Sequence, residues 1–179
     1  MFLDLAKKRR SIRKFTDKEV TDKEVTDKEI KEIFESVLRA PTAVHRDVMK
    51  YILIKDKKSL EILSKFKKSG AEFLKGSSLA IAVISDKSLA KNTYHQDACI
   101  GATFIQLACV DLGLSSTWAN VTDAKNEEGK ASQEYLHELL NLDEKFNVEC
   151  IIGIGHGAEE KSEKKAWDYD THVKEIVIK

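Results

Sequence analysis

This sequence of 179 residues has only three cysteines and one proline, and its formal net charge is zero. The 30 basic residues equal the 30 acidic ones, so the chain lacks the global positive charge with which most nucleic-acid-binding proteins attract phosphates. The three cysteines are an odd number without CxxC spacing, which favours reduced, buried thiols in a cytoplasmic protein. No pair of cysteines or histidines has the spacing of zinc ligands. We therefore predict neither a metal site nor a nucleic-acid partner.

Long apolar segments are absent as well. The longest runs, residues 79–84 and 150–154, are much shorter than the roughly 18 residues that a transmembrane helix needs. The first residues also lack the apolar core of a secretory signal. With 42% hydrophobic residues the chain still has enough apolar surface for a folded core, and its length fits one domain, residues 1–179. We predict a cytoplasmic protein without membrane contact.

The apolar pattern predicts an α+β domain in which helices flank a central mixed sheet. Continuous apolar or β-branched runs predict strands over residues 51–55, 79–85 and 148–154. Helices are predicted over residues 59–66, 93–112 and 133–140, with a loop between the last two. The helix at 93–112 is mostly apolar, as expected of a buried central helix, and Gly113 is a typical residue for ending it.

An internal repeat, TDKEV-TDKEV-TDKEI, occupies residues 16–30. Each copy has the Thr-x-x-Glu pattern of a capping box. Only the third copy precedes apolar residues at helical spacing, so we expect Thr26 to cap a helix and Glu29 to reach back to it. That helix should end near Ala40, because Pro41 disfavours helical geometry in the residue before it. We assign the repeat itself no function.

A basic cluster near the start of the chain is the first candidate for chemistry. Arg9, Arg10 and Arg13 surround Ser11. Guanidinium groups bind phosphate oxygens two at a time, and a serine hydroxyl adds a neutral donor. By composition alone, a solvated basic turn explains the cluster better. Motifs further along the chain shift this balance towards a phosphate site.

Four segments, in this order, resemble the nitroreductase-like family of FMN-dependent oxidoreductases. They are the basic segment RRSIRKF (9–15), the loop and strand RAPTAVHRDVMKYILIKD (39–56), the helix and loop DACIGATFIQLACVDLGLSSTW (97–118), and the tail IIGIGHGAEEKSEKK (151–165). Together they span nearly the whole chain. The resemblance implies a homodimer with the nitroreductase-like fold and two FMN sites, each built across the subunit interface.

The resemblance also implies which residues bind FMN. Those that would hold the phosphate and the ribityl chain are Arg9, Arg10, Ser11 and Arg13, with Lys164 or Lys165 as a later basic residue at the phosphate. Those that would approach the flavin from the partner chain are Pro41, Thr42, Ala43 and His45. Those that would lie near the isoalloxazine ring are Leu114, Ser115 and Trp118.

The sequence departs from the family pattern mainly near the flavin ring. His45 stands where the family has an asparagine that contacts the ring, and its neutral imidazole offers one donor and one acceptor. Asp47 and Val48 replace the family's glutamine and proline, and Phe104 replaces an asparagine of the central helix. The phosphate end of the pattern is well kept.

The activity implied by the resemblance is hydride transfer from NAD(P)H, through bound FMN, to a nitroaromatic, quinone or similar acceptor in a ping-pong cycle. The flavin carries this chemistry, so no side chain is assigned a catalytic role. The altered ring-side residues leave a second interpretation open, a flavin- or ligand-binding homodimer with little turnover. A third is a plain soluble domain whose basic N-terminus is a surface feature.

Overall fold

The computed structural model describes residues 1–16 and 24–178. Most of the first two TDKEV copies lies outside these residues. The α-helices within them are α1 (Phe2–Lys8), α2 (Asp27–Val37), α3 (Lys57–Leu63), α4 (Tyr94–Asp111), α5 (Ser132–Leu140) and α6 (Tyr169–His172). Short 3-10 helices cover Ala43–His45 and Glu72–Gly76. The strands are β1 (Met49–Ile54), β2 (Leu79–Asp86), β3 (Ser115–Asn120) and β4 (Phe146–Gly155).

The four strands form one sheet in the order β1-β2-β4-β3, and every neighbouring pair is antiparallel. The predicted α+β class is confirmed. The predicted mixture of parallel and antiparallel pairs is not seen among the four strands. β2 and β3 run in the same direction, but β4 lies between them and pairs antiparallel with both. In the part of the chain that the structure describes, parallel pairing is limited to one bridge between Ser11 and Ser116.

The sheet lies between two apolar layers. On one face, α2 and α4 pack against it through residues that include Ile33, Val37, Ile105 and Ile152. On the other face, α3, α5 and the second 3-10 helix contribute Leu60, Leu136 and Leu74, which share an apolar cluster with Ile151 of β4. Neighbouring residues of β4 therefore serve opposite layers, as the alternation of side chains along a strand requires.

Most predicted elements are observed within a few residues of their expected bounds, but β3 is an exception. Residues 115–120 were expected in a loop, and they pair with β4 from Ser115↔Gly155 to Asn120↔Cys150. The segment SSTWAN is short and mostly polar, so its own pattern does not indicate a strand. Pairing with the strongly apolar β4 makes it one.

The predicted start of α2 is confirmed. The Glu29 N–H donates to Thr26 Oγ1 at 3.2 Å, and the Thr26 N–H donates to Glu29 Oε2 at 2.7 Å. The helix ends at Val37, slightly before the expected Ala40. All three cysteines are free, and Cys109 and Cys150 are buried as predicted, whereas Cys99 is exposed. The prediction of burial was wrong for Cys99, which is exposed although its thiol lies 3.8 Å from Glu149 Oε1 of β4.

Candidate functional site

The basic segment is held at the end of the sheet where β3 begins and β4 ends. The Ile12 N–H donates to the Ser116 carbonyl at 3.3 Å, and the Thr16 N–H donates to the His156 carbonyl at 2.9 Å. These bonds place residues 9–16 in an extended conformation between β3 and the tail that follows β4. The segments that resemble phosphate-binding motifs are thus neighbours in space.

Glu159, which the sequence analysis did not single out, fastens the tail to the basic segment. Its Oε1 accepts the backbone N–H of Arg13 at 2.7 Å and that of Lys14 at 3.3 Å. The bond from the Arg13 N–H is the largest cause that lowers the pKa of the Glu159 carboxyl. Lys161 Nζ lies 3.4 Å from the same oxygen and donates to the Ser11 carbonyl at 2.6 Å.

Several polar side chains of the basic segment, exposed Lys14 included, have no partner among the described residues. Within residues 1–16 and 24–178, the guanidinium groups of Arg9 and Arg13 and the hydroxyl of Ser11 have no hydrogen-bond or ion-pair partner. Arg10 differs, because its Nη1 donates to the Ser162 carbonyl. Two uncommitted cations beside a hydroxyl are the donors that a phosphate dianion prefers.

Two glycines allow the strands and the tail to approach closely here. A Cβ at Gly157 would lie 2.6 Å from Ser115 Oγ, and a Cβ at Gly155 would lie 2.9 Å from Ser78 Oγ. A side chain at residue 157 would crowd Ser115 and Ile12, and one at residue 155 would crowd Ser78 and Phe15. Gly157 therefore allows Ser115 to lie beside the basic segment.

The loop at residues 41–46, which we call the ring-side loop, is tight and strained. The His45 N–H donates to the Thr42 carbonyl at 3.1 Å, and Thr42 Oγ1 donates to the Arg46 carbonyl at 2.8 Å. Val44 and His45 have φ angles of 49° and 57°. A left-handed conformation is unfavourable for a β-branched residue such as Val44. Both side chains are exposed.

Asp97, buried in the first turn of α4, connects this loop to the helix. Its Oδ1 accepts the Ala43 N–H at 2.9 Å, and its Oδ2 accepts the Thr93 hydroxyl at 3.3 Å. A cavity of about 190 Å³ lies between the ring-side loop, the end of α2 and β1, and Asp97, His45 and Tyr51 contribute to its lining. Burial raises the pKa of the Tyr51 phenol to about 12, so its hydroxyl is protonated at neutral pH.

The basic segment and the ring-side loop lie at opposite ends of α4. Asp97 is in the first turn, while Ser115 and Ser116 follow the last turn. The helix rises 1.5 Å per residue, so Asp97 and Asp111 are about 21 Å apart along its axis. A single protomer therefore does not bring the predicted phosphate-binding and ring-side residues together.

Comparison with known proteins identifies the family to which the chain belongs. The Nitroreductase family model matches residues 6–82 and 64–156. The chain belongs to the nitroreductase family. It is 36% identical to an FMN-dependent nitroreductase from Clostridium difficile R20291, with a TM-score of 0.88 over 98% of this chain and 99% of that one.

Other nitroreductase relatives are more distant. A candidate NADH dehydrogenase/NAD(P)H nitroreductase of Archaeoglobus fulgidus is 30% identical over 163 residues, which are 89% of this chain and 87% of that protein. A candidate nitroreductase of Desulfovibrio desulfuricans, crystallised with FMN, shares the fold with a TM-score of 0.78 at 22% identity, over 98% of this chain and 97% of that one. The family resemblance predicted from the four segments is confirmed.

The residues that were predicted near the flavin ring have different surroundings in this nitroreductase. Leu114 is only 4% exposed and belongs to the core beneath α4, so its side chain is not open to a ligand. Trp118 is half-buried and packs against the same core. Ser115 is half-buried and lies beside Gly157 at the basic segment. Ser115 is the one of the three that lies with the phosphate-side residues.

The later basic residues lie on the tail where it meets the end of α1, since the Lys164 N–H donates to the Lys7 carbonyl at 3.0 Å. Lys164 and Lys165 are exposed, and Lys164 Nζ lies 5.9 Å from the centre of the Trp167 ring. Lys161, which the sequence analysis did not choose, contacts Ser11 directly. Its position just after Glu159 and Glu160, inside the tail segment that resembles the family, was the available signal.

Proposed function

We propose that this protein is an FMN-dependent oxidoreductase that transfers hydride from NAD(P)H, through bound FMN, to a nitroaromatic, quinone or similar small acceptor in a ping-pong cycle. The observation that carries the proposal is the set of uncommitted donors, Arg9, Arg13 and Ser11, at the end of the sheet. The FMN-dependent relative from Clostridium difficile and the FMN complex of the Desulfovibrio relative support the choice of ligand.

The residues present fit the phosphate end of FMN. Arg9 and Arg13 would pair with the dianion, and the Ser11 hydroxyl would add a neutral donor. Lys161 lies beside Glu159 and offsets its negative charge, so the arginines stay available to a ligand. Because residue 157 is glycine and has no Cβ, the start of β3 can lie close to these donors. When bound, FMN would supply the hydride-accepting and hydride-donating chemistry.

We propose further that the protein is a homodimer in which the ring-side loop of one copy completes the site of the other. The 21 Å separation estimated along α4 supports this arrangement, because one protomer keeps the two regions apart. Large apolar side chains that the single chain leaves exposed also support it, and they include Phe2, Leu38, Val44, Val177 and Ile178. A second copy would cover such surfaces.

A second candidate function is a flavin- or ligand-binding homodimer with little turnover. The ring-side loop favours it, because exposed His45, Arg46 and Asp47 place two ionisable groups and a guanidinium where the ring is expected. Such groups could bind a flavin without leaving room for a second substrate. Steady-state turnover separates the two candidates.

The experiment starts with the purified protein and its visible absorbance spectrum. We expect yellow protein, about one FMN per chain after denaturation, and FMN-dependent oxidation of NADH or NADPH with menadione or nitrofurazone as acceptor. Colourless protein that does not take up added FMN would reject both flavin proposals. Stoichiometric FMN without acceptor-dependent turnover would favour the second candidate.

Three broader proposals accompany this function. We propose that residues 1–179 form one domain, that the protein works in the cytoplasm, and that its partners are a second copy, NAD(P)H and a small acceptor. The free cysteines agree with a reducing compartment. In the described residues no helix has the length and apolar character to cross a membrane.

A further inference from the structure

We infer that Asp97 is a positioning residue, whose buried carboxylate holds the ring-side loop in the strained conformation that presents His45 to the ligand. The inference rests on the proposed function, since that ligand is taken to be FMN. It concerns a residue outside the set that the sequence assigns to cofactor binding.

The strain in the loop requires a compensating interaction. Val44 and His45 are consecutive residues at φ angles of 49° and 57°, and neither is glycine. Val44 is 78% exposed, so its side chain gains little packing that could offset the strain. Strained backbone of this kind persists only where surrounding contacts determine it.

Asp97 supplies the contact that ties the loop to the helix layer, and Arg46 Nη1 adds a bond from the end of the loop to the Leu89 carbonyl at 3.1 Å. The hydrogen bonds of Thr42 and His45 close the loop on itself, whereas the Ala43 N–H leaves it and reaches Asp97 Oδ1 at 2.9 Å. Asp97 is fixed in turn, because it is 3% exposed and its N–H donates to the Thr93 carbonyl at 2.9 Å. A bond from a rigid helix to the base of the loop restrains the residues that follow it.

The burial of Asp97 is itself costly. Among residues 1–16 and 24–178, no cation lies within ion-pair distance of its carboxylate, although removing a carboxylate from water without such a partner is unfavourable. A carboxylate in the first turn also interacts favourably with the helix dipole. If Asp97 only stabilises the helix, a change in the loop should not alter the effect of losing Asp97. If Asp97 holds the loop, such a change should alter it.

The first test compares Asp97→Ala, Asp97→Asn and the control Asp111→Asn, which changes an exposed aspartate at the other end of α4. Two readouts are used, the Kd of FMN from flavin fluorescence and the hydrogen exchange of the Ala43 amide. We expect Asp97→Ala to weaken FMN binding about tenfold and to accelerate exchange at Ala43 by a similar factor, the order expected for one lost charge-assisted hydrogen bond. Asp97→Asn keeps an acceptor oxygen and should stay within about threefold of wild type.

The second test asks whether strain is what Asp97 opposes. Glycine adopts positive φ without steric cost, so Val44→Gly removes much of the strain. The effect of Asp97→Ala on FMN affinity should therefore be smaller in a Val44→Gly background than in wild type. A purely helical role predicts the same effect in both backgrounds, and that result would overturn the inference.

A third variant removes the donor instead of the acceptor. Ala43→Pro deletes the N–H and fixes the φ angle, and the site tolerates proline because Thr42 is extended (φ −126°, ψ 157°) and residue 43 begins the 3-10 turn. We expect the same loss of FMN affinity as for Asp97→Ala. Unchanged FMN affinity in both variants would refute the inference. If the wild-type protein binds no FMN, the proposed function fails instead, and the exchange rate of the Ala43 amide in Asp97→Ala still decides whether Asp97 holds the loop.

Discussion

The hydroxyl of Tyr51 on β1 occupies the space beside Gly101 on α4, where a Cβ would lie 2.6 Å from the Tyr51 oxygen. Glycine in the interior of a helix is normally unfavourable relative to alanine. The close approach of the tyrosine explains why this helix contains one. The Tyr51 ring also makes an edge contact with Phe34, at 6.2 Å between ring centres.

This relationship predicts a reversal of the usual effect of alanine in a helix. Gly101→Ala should destabilise the protein by about 1–3 kcal/mol, because the new methyl group overlaps the Tyr51 hydroxyl. In a Tyr51→Phe background the same substitution should stabilise the fold by up to about 1 kcal/mol, through the higher helix propensity of alanine. Urea unfolding of the four proteins in this cycle measures both values. Equal effects of Gly101→Ala in the two backgrounds would contradict the assigned contact.

Local sequence patterns were sufficient for several elements of this fold. The Thr26 capping box and the apolar run of α4 identify their helices because the relevant interactions lie within a few residues of each other. The strand β3 could not be found in this way, because the partner that makes it a strand is β4, about 35 residues further along the chain in their register. Its own residues carry little apolar signal.

The candidate site was predictable only in part. The basic segment was singled out because it and three later segments together resemble the family, whereas its composition alone favours a solvated turn. The roles of Glu159 and Lys161 depend on contacts across 146 and 150 residues of sequence, which no local pattern reveals. The left-handed conformation of Val44 was equally hidden, because a β-branched residue rarely adopts it.

The arginines of the basic segment should differ in their roles. Arg9→Ala and Arg13→Ala should each weaken FMN binding about tenfold to a hundredfold, because each removes an uncommitted cation, while stability to urea stays nearly unchanged. Arg10 already donates to the Ser162 carbonyl, so Arg10→Ala should loosen the tail and weaken FMN binding less. Fluorescence titration with FMN and limited proteolysis of the tail measure the two effects.

The matched control for these variants is Arg39→Ala. Arg39 is exposed and is already paired with Glu35 of α2 at 2.9 Å. Its loss should leave FMN affinity unchanged. Equal FMN affinities for wild type, Arg9→Ala and Arg13→Ala would show that the basic segment is a solvated turn.

The contact of Glu159 with the basic segment should weaken in acid. Its folded-state pKa is lowered from the usual 4.5, chiefly by the Arg13 N–H, so the contact contributes fully above about pH 4.5 and is lost as the pH falls through the folded-state value. Proteolysis of the tail by an acid-active protease should therefore accelerate below pH 4.5. Glu159→Gln lacks the titrating charge, so its tail should be cleaved at a rate that changes little over this range. The control Glu160→Gln, at an exposed neighbouring residue, should be cleaved like wild type.

The exposed apolar tail should contribute to self-association. Ile176 and Ile178 are 67% and 92% exposed in the single chain, which is unusual for isoleucine unless another surface covers it. The double variant Ile176→Asp/Ile178→Asp should shift the protein towards monomer at micromolar concentration in sedimentation velocity. Glu175→Gln, an exposed polar change in the same segment, is the control. An unchanged dimer fraction in the aspartate variant would place the interface elsewhere.

A site shared between two copies makes a prediction that no single-chain site can satisfy. Arg9→Ala/Arg13→Ala damages the basic segment, and His45→Asp places a negative charge in the ring-side loop at a φ angle that aspartate tolerates. Each homodimer should be impaired in FMN-dependent turnover.

If each site combines the basic segment of one copy with the loop of the other, a mixed dimer has one intact site and one doubly altered site. Unfolding and refolding an equimolar mixture should then restore about one quarter of wild-type sites, because about half of the dimers are mixed. Turnover no higher than the average of the two homodimers would mean that both regions of a site come from the same chain, and the 21 Å estimated along α4 would have to be bridged within one protomer.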